Sequence, residues 1–322
     1  MEKKSIEKFH SYYAPLYILK YKKNLKRIFI SRLKTINISK ILFLSNSTYL
    51  TTSYDTINQY KNLNLNDKIT TIYETNDITN IIEIENENKN KNEILIAYSI
   101  SNILKIYSLK EKKIISLFDD HEWAITSILE YSLNKILTSA NDKTIKLFNI
   151  KEQFCIMNIL AHSWSINKII KLKNNYISSC SWDKSIKVWE LNEDFFLISE
   201  LVGHLENVND IIEFKENIII SVSEDLTIRF WDWINEKCIF IIENACFDSI
   251  LKIVYLNKNV FITYSDDGFV KFWDFENKSL IQTFDCDGFY IKYICNIKNY
   301  VFAIWVNGIY VFSNERNLNL LE

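Results

Sequence analysis

Short apolar runs, bounded by Asn, Ser, Asp or Lys, follow one another from Arg27 to Phe312. The clearest unit is Ser178 to Glu190, Ser-Ser-Cys-Ser-Trp-Asp-Lys-Ser-Ile-Lys-Val-Trp-Glu, which reads as a strand, a tight turn and a second strand. Near-copies lie at Thr138 to Phe148, Ser221 to Trp231 and Thr263 to Trp273. An aromatic residue closes the third strand of each cycle: Tyr60, Tyr107, Phe148, Trp189, Trp231, Trp273 and Phe312. The intervals are 47, 41, 41, 42, 42 and 39 residues. A repeat of this kind decides the architecture before any single residue does.

The spacing matches the ~40–45-residue period of four-stranded propeller blades. Seven anchors therefore predict an all-β, seven-bladed β-propeller with four antiparallel strands per blade. The blades are expected to close into a ring, because an open array leaves both end faces wet. The last cycle offers three strands, Phe289 to Ile297, Asn299 to Trp305 and Ile309 to Phe312. Its outer strand is expected from the N-terminal run Arg27 to Leu33, with Leu318 to Leu321 as competitor, because joining the chain ends resists unzipping. The division that follows is a basic N-terminal extension over residues 1–25 and the propeller over residues 26–322. In the extension, Ile6, Phe9 and Tyr13 would share one face of a short helix ending before Pro15. Tyr17, Leu19 and Tyr21 alternate too imperfectly to assign. Glu85 to Glu93, E-N-E-N-K-N-K-N-E, explains the longest interval as a solvated loop between the first two strands of its blade.

Composition agrees with strands: aromatics make up 14%, with one Pro and four Gly. The net charge is -2, so the whole molecule carries no bulk attraction for nucleic acid, which is not an expected partner. Residues 1–40 nevertheless hold eleven Lys or Arg against two Glu, a balance of +9, leaving -11 for the rest. Such an arm could touch RNA, anionic lipid or the body itself, while lysines on a solvated edge strand are the plainer reading. Six cysteines, Cys155, Cys180, Cys238, Cys246, Cys286 and Cys295, form no C-x-x-C pair and most sit in apolar runs, as buried thiols in a reducing compartment would. Neither zinc-ligand spacing nor a phosphate-binding glycine loop is present, so no metal and no cofactor are expected. No run is long enough to span a bilayer and no signal peptide is visible. A cytoplasmic chain is expected, with the nucleus as the alternative.

Polar residues recur with the aromatics. A Ser or Thr lies ten residues before the anchor (Thr138, Ser179, Ser221, Thr263) and an Asp six before it (Asp142, Asp183, Asp225, Asp267). A His lies 27 before it (His121, His162, His204), with Cys246 in that slot in the sixth cycle. Together with Gly203–His204 and the run ending at Trp231–Asp232, this resembles the WD40 repeat family, most strongly from His121 to Phe275. The resemblance implies a buried hydrogen-bonded tetrad of His, Ser/Thr, Asp and Trp in each blade. Full sets would be His162, Ser179, Asp183, Trp189 and His204, Ser221, Asp225, Trp231; Trp273 anchors the partial sixth set. The first, second and seventh cycles lack the His and most of the Asp. His, Ser and Asp together also suggest a hydrolase triad. Their recurrence in successive cycles, the absence of a G-x-S-x-G elbow and the indole donor favour a structural network instead. No enzyme activity is expected.

In such a fold the turns between second and third strands share one face with the links between blades. Two repeat positions would project there. One precedes the turn Asp: Asn141, Trp182, Glu224 and Asp266, with Trp305 in the last cycle. The other lies two residues after the His slot: Trp123, Trp164, Glu206 and Asp248, with Asp287 in the last cycle. Tryptophans thus gather in the third and fourth cycles and carboxylates in the fifth and sixth. Two fates are open for the tryptophans, packing into the seams between blades or meeting a partner. The partner would be another protein offering an apolar anchor beside basic residues. The expected function is a non-catalytic scaffold or adaptor, monomeric within a larger complex, with no membrane span. The alternatives are a substrate-recognition subunit of a ubiquitin ligase and an RNA-associated role through the basic arm.

Overall fold

The computed structural model describes residues 25–31, 38–61, 67–85, 93–192, 194–286, 291–297, 300–305 and 308–314. They form strands and turns, with no helix among them. β1 is Leu25–Ser31. The first sheet holds β2 (Lys40–Phe43), β3 (Tyr49–Thr52), β4 (Thr56–Tyr60) and β5 (Lys68–Tyr73). The second holds β6 (Ile78–Ile84), β7 (Leu95–Ile100), β8 (Ile103–Ser108) and β9 (Lys113–Phe118). The third holds β10 (Ile125–Ser132), β11 (Lys135–Ala140), β12 (Thr144–Asn149) and β13 (Phe154–Leu160). The fourth holds β14 (Ile166–Lys171), β15 (Ile177–Ser181), β16 (Ser185–Leu191) and β17 (Phe195–Val202). The fifth holds β18 (Val208–Lys215), β19 (Ile218–Ser223), β20 (Ile228–Asp232) and β21 (Lys237–Ile242). The sixth holds β22 (Ile250–Asn257), β23 (Val260–Ser265), β24 (Phe269–Asp274) and β25 (Ser279–Asp285). These six sheets are antiparallel meanders in chain order. The remaining strands, β26 (Ile291–Ile297), β27 (Tyr300–Trp305) and β28 (Gly308–Asn314), pair in the same way, and β1 lies antiparallel to β28 with Leu25 opposite Asn314.

The local sequence explains the meander. Ile, Val, Phe and Thr fill the strands, where branched and aromatic side chains suit a pleated surface. Asn134, Asn175 and Asn217 take the left-handed position (φ 61, 64 and 66°) in the first hairpin turn of the third, fourth and fifth sheets. Asparagine tolerates that conformation better than most residues.

Two irregularities recur. Pairing between third and fourth strands shifts beside the aromatic anchor, at Gln59/Tyr60, Ile106/Tyr107, Leu147/Phe148, Val188/Trp189, Phe230/Trp231 and Phe272/Trp273. Pairing between first and second strands shifts near the start of β6, β10, β14, β18, β22 and β26. A bulge re-aims the side chains beside it.

The core lies between sheets. Cys180, Ile186, Val188 and Leu201 of the fourth sheet pack against Val208, Ile211, Ile219 and Trp231 of the fifth. Leu137, Ile145 and Leu147 of the third meet Ile166, Ile177 and Trp189 of the fourth in the same way. The anchor rings Tyr107, Phe148, Trp189, Trp231 and Trp273 therefore serve the seam with the preceding sheet as well as their own hairpins. First strands adjoin in order, β2 beside β6, then β10, β14, β18, β22 and β26, and β26 also touches β2.

Several sequence expectations fall on other residues. The helix around Ile6, Phe9 and Tyr13, the segment around Tyr17, and Leu318 to Leu321 lie outside the described residues. So do Asp287 and residues 86–92, although paired β6 and β7 flank the latter. One expectation needs correction. Cys180, Cys246 and Cys286 are buried, but Cys155 is half-buried and Cys238 exposed, because outer strands β13 and β21 cover their neighbours on one face only.

Candidate functional site

The turn between second and third strands is built around its aspartate. Asp142, Asp183, Asp225 and Asp267 are each followed by a left-handed residue: Lys143 (φ 71°), Lys184 (72°), Leu226 (66°) and Gly268 (82°). One carboxylate oxygen accepts the N–H two residues on, from Thr144 (3.0 Å), Ser185 (3.1 Å), Thr227 (3.0 Å) and Phe269 (3.0 Å). This is an Asx turn. The other oxygen accepts the N–H of the residue after the His slot, from Glu122 (3.0 Å), Ser163 (3.0 Å), Leu205 (2.9 Å) and Phe247 (2.9 Å). A single carboxylate thus ties each turn to the link arriving from the previous sheet.

Histidine completes the set in three sheets. His162 Nδ1 lies 2.9 Å from Asp183 and its Nε2 2.7 Å from Ser179 Oγ, which also accepts Trp189 Nε1–H at 2.9 Å. The fifth sheet repeats this with His204, Asp225, Ser221 and Trp231 at 2.7, 2.7 and 2.8 Å. In the third, His121 bridges Asp142 (2.7 Å) and Thr138 (2.6 Å), and the Phe148 anchor has no indole donor to add. In the sixth, Trp273 still donates to Thr263 at 2.8 Å, but Cys246 fills the His slot and Ser265 donates to Asp267 instead.

Proton directions in the full sets are forced. Indole only donates and carboxylate only accepts. The serine hydroxyl therefore points to Nε2, and the neutral imidazole donates Nδ1–H to the aspartate. Burial pushes the His162 and His204 pKa values down, against the opposing pull of Asp183 and Asp225. For Asp142, burial acts upward, but hydrogen bonds from His121 and Thr144 prevail and bring it to about 2. Asp183 and Asp225 are likewise held below the usual carboxylate range.

The family model for the WD domain, G-beta repeat, matches residues 153–190 and 195–232. These residues are two WD40 repeats. No curated protein matches the chain at a significant level. Both matched WD40 repeats begin on the outer strand of one sheet and end on the third strand of the next, β13 through β16 and β17 through β20. Each repeat therefore spans a seam between sheets.

The loop-bearing end of the WD40 sheets gathers the other predicted positions in pairs. The N–H of Asn141, Trp182, Glu224 and Asp266 bonds the carbonyl of Ala124 (3.0 Å), Ser165 (3.0 Å), Asn207 (3.1 Å) and Ser249 (3.0 Å), respectively. Those acceptors adjoin Trp123, Trp164, Glu206 and Asp248 in the chain, so the structure brings the two positions of each sheet side by side. Trp123, Trp164 and Trp182 are 65%, 60% and 45% exposed, which places their rings outside the seams. Lys143 Nζ stands 5.7 Å from the Trp164 ring centre. Glu206, Asp248 and Asp266 are exposed; Asn141 and Glu224 are half-buried. Burial, Asp248 and Glu224 together raise the Asp266 pKa, so three carboxylates share one field. Glu206 stands partly apart, since Lys184 reaches it at 3.4 Å. Trp305 ends β27 at its turn with β28, and its side chain lies outside the described set.

Sequence reading overlooked several participants. Thr144, Ser185 and Thr227 also bond the turn aspartate by hydroxyl, at 2.6, 2.6 and 2.7 Å. Lys146, Lys187 and Lys271 reach the carbonyl of the residue before the His slot, Asp120, Ala161 and Ala245, at 2.8, 3.1 and 2.6 Å. Their signal was the basic residue in I-K-L-F, I-K-V-W and V-K-F-W, four after each Asp. Leu205 and Phe247, one residue after the His slot, are 71% and 87% exposed. They stand beside Glu206 and Asp248, so apolar and acidic side chains interleave on the fifth and sixth sheets.

Proposed function

We propose that the chain is a non-catalytic scaffold that captures another protein on the loop-bearing end of its sheets. The observation that carries the reading is the set of exposed rings Trp123, Trp164 and Trp182 beside the shared field of Glu224, Asp248 and Asp266. Exposed indoles in a group concentrate binding energy once a partner excludes water. Clustered carboxylates steer lysine or arginine toward them. The partner segment is a peptide or loop with an apolar anchor flanked by basic residues, and Leu205 and Phe247 extend its apolar contact.

The non-catalytic part rests on the buried sets. Ser179 and Ser221 are fully buried, and each hydroxyl oxygen already accepts an indole N–H. A nucleophile needs an approach path for its substrate, and these oxygens have protein on every side. The scaffold reading also takes residues 26–322 as a closed seven-bladed ring, with β1 as closing strand and residues 1–25 as a separate basic extension. The β1–β28 pairing and the contact of β2 with β26 support that closure.

Affinity capture from cell extract with quantitative mass spectrometry tests the binding surface. Trp164→Ala with Trp182→Ala should reduce recovery of specific partners more than tenfold, given ~2 kcal/mol per anchoring residue. Glu224→Lys with Asp266→Lys should lower it and weaken its salt dependence. Unchanged recovery with both double variants would refute the surface.

A further inference from the structure

A second polar cluster sits where the first strands converge, apart from the loop-bearing surface. The register shift near the start of β14, β18 and β22 falls beside Lys168, Asp210 and Lys252. Lys40 opens β2, which pairs with β3 without a shift and lies between the first strands β6 and β26. Lys168 Nζ lies 2.5 Å from Asp210 and Lys252 Nζ 3.8 Å from it. Asp210 also accepts the N–H of Ile211 (2.8 Å) and Ile253 (3.2 Å), so its lone pairs are committed. Lys40 has no carboxylate within ion-pair reach among the described residues. Its ammonium donates to Asn80 Oδ1 at 2.7 Å and stands 5.7 Å from the Tyr293 ring centre. Asn80 is itself fixed, because its amide N–H bonds Thr126 O at 2.8 Å.

When Lys40 is protonated, three ammoniums against one carboxylate leave the cluster two charges positive among the described residues. We propose that this cluster is a binding site for a phosphate-bearing anion, held between Lys40 and the Lys168–Asp210–Lys252 group. Lysine serves phosphate as a movable point charge, and low-dielectric walls focus its field. A dianion near neutral pH would balance the excess. Burial, then Lys252 and Lys168, lower the Lys40 pKa to about 7, which marks a cation lacking its counter-charge. The carboxylates of the loop-bearing surface play no part, so this site stands or falls independently of the proposed partner.

Isothermal titration and thermal unfolding of the full chain at pH 7 test the site, with sodium phosphate, sodium pyrophosphate and sodium chloride at matched ionic strength. Phosphate should bind saturably below 10 mM and raise Tm relative to chloride. Tighter binding of pyrophosphate would assign the site to a polyphosphorylated solute, and equal binding to a single phosphate group. Lys40→Met should weaken binding at least tenfold. Lys252→Met, at a half-exposed position where folding is least at risk, should do the same, and Lys135→Met on the surface should change nothing. A Tm rise equal to that in chloride, or phosphate binding unchanged in Lys252→Met, would overturn the assignment.

Discussion

The turn aspartate carries more of the structure than any other residue of the repeat. Asp183 accepts from His162, Ser185 Oγ and two backbone N–H groups at once. Removing it strands three buried donors, on His162 and Ser185, and the exposed N–H of Ser163. Asp183→Ala should cost about 1–3 kcal/mol by chemical denaturation. Asp267 has no imidazole to orient, because Cys246 replaces it. Asp267→Ala should cost measurably less than Asp183→Ala, and equal losses would show that the histidine adds nothing. Leu226 illustrates the opposite case. It holds φ 66° where Gly268 stands in the next sheet, so the turn shape is imposed on a residue poorly suited to it.

At the scale of elements, side chains on the first strands stitch neighbouring sheets. Near their start, Asn80, Asn167 and Asn209 donate forward to Thr126 O, Val208 O and Ile250 O at 2.8, 2.8 and 3.1 Å. Near their end, Glu83, Glu130 and Glu213 accept backward from the N–H of Ser45, Glu85 and Lys173, each at 2.8 Å. β1 acts on the outer edge of β28, which it pairs from Asn314 to Ile309. Removal of residues 1–31 should therefore lower Tm by several degrees more than removal of residues 1–24. Equal Tm values in a scanning calorimeter would mean that β1 contributes no closure. The meander and its anchors were legible in the sequence because a period near 42 residues survives changes in individual residues. So was the aspartate turn, since the Asp recurs six residues before the anchor in four successive cycles. The stitching was not legible: Asn80 and Glu130 gain meaning only from backbone groups more than forty residues away. The lysine cluster was hidden for the same reason. Lys40, Lys168 and Lys252 are distant in sequence and look like ordinary surface lysines in a lysine-rich chain. The exposure of Leu205 and Phe247 was missed because apolar residues next to a buried histidine read as core.

For the whole molecule, the titrating groups set a direction for stability with pH. His162 and His204 are held below their usual 6.5 by burial. As pH falls through 6.5 the unfolded chain takes up these protons before the folded one, so stability declines. Asp142, Asp183 and Asp225 lie below their usual 3.8, so their stabilisation is present above that value and is lost as pH falls through the folded values. Glu130, Glu213 and Asp266 act the other way just above 4, since burial raises them and the folded state protonates first. They oppose the decline between pH 6 and 4. On the alkaline side Lys40 falls from 10.5 to about 7, chiefly through burial. Between those values the unfolded chain holds a proton that the folded chain has released, so stability keeps rising with pH. Tm should therefore climb from pH 6 through pH 8 in buffers free of phosphate. At higher pH the rise is opposed by Cys155, Cys180, Cys238 and Cys246, whose pKa values burial raises, so the unfolded chain loses those protons first. Lys40→Met should flatten the segment above pH 7. At pH 6 it should raise stability by about 1–4 kcal/mol, the range seen when buried ion pairs or triads are replaced by well-packed apolar side chains. A wild-type Tm that peaks at pH 6, or a Lys40→Met protein that keeps the alkaline rise, would show that Lys40 has a counter-charge already in place.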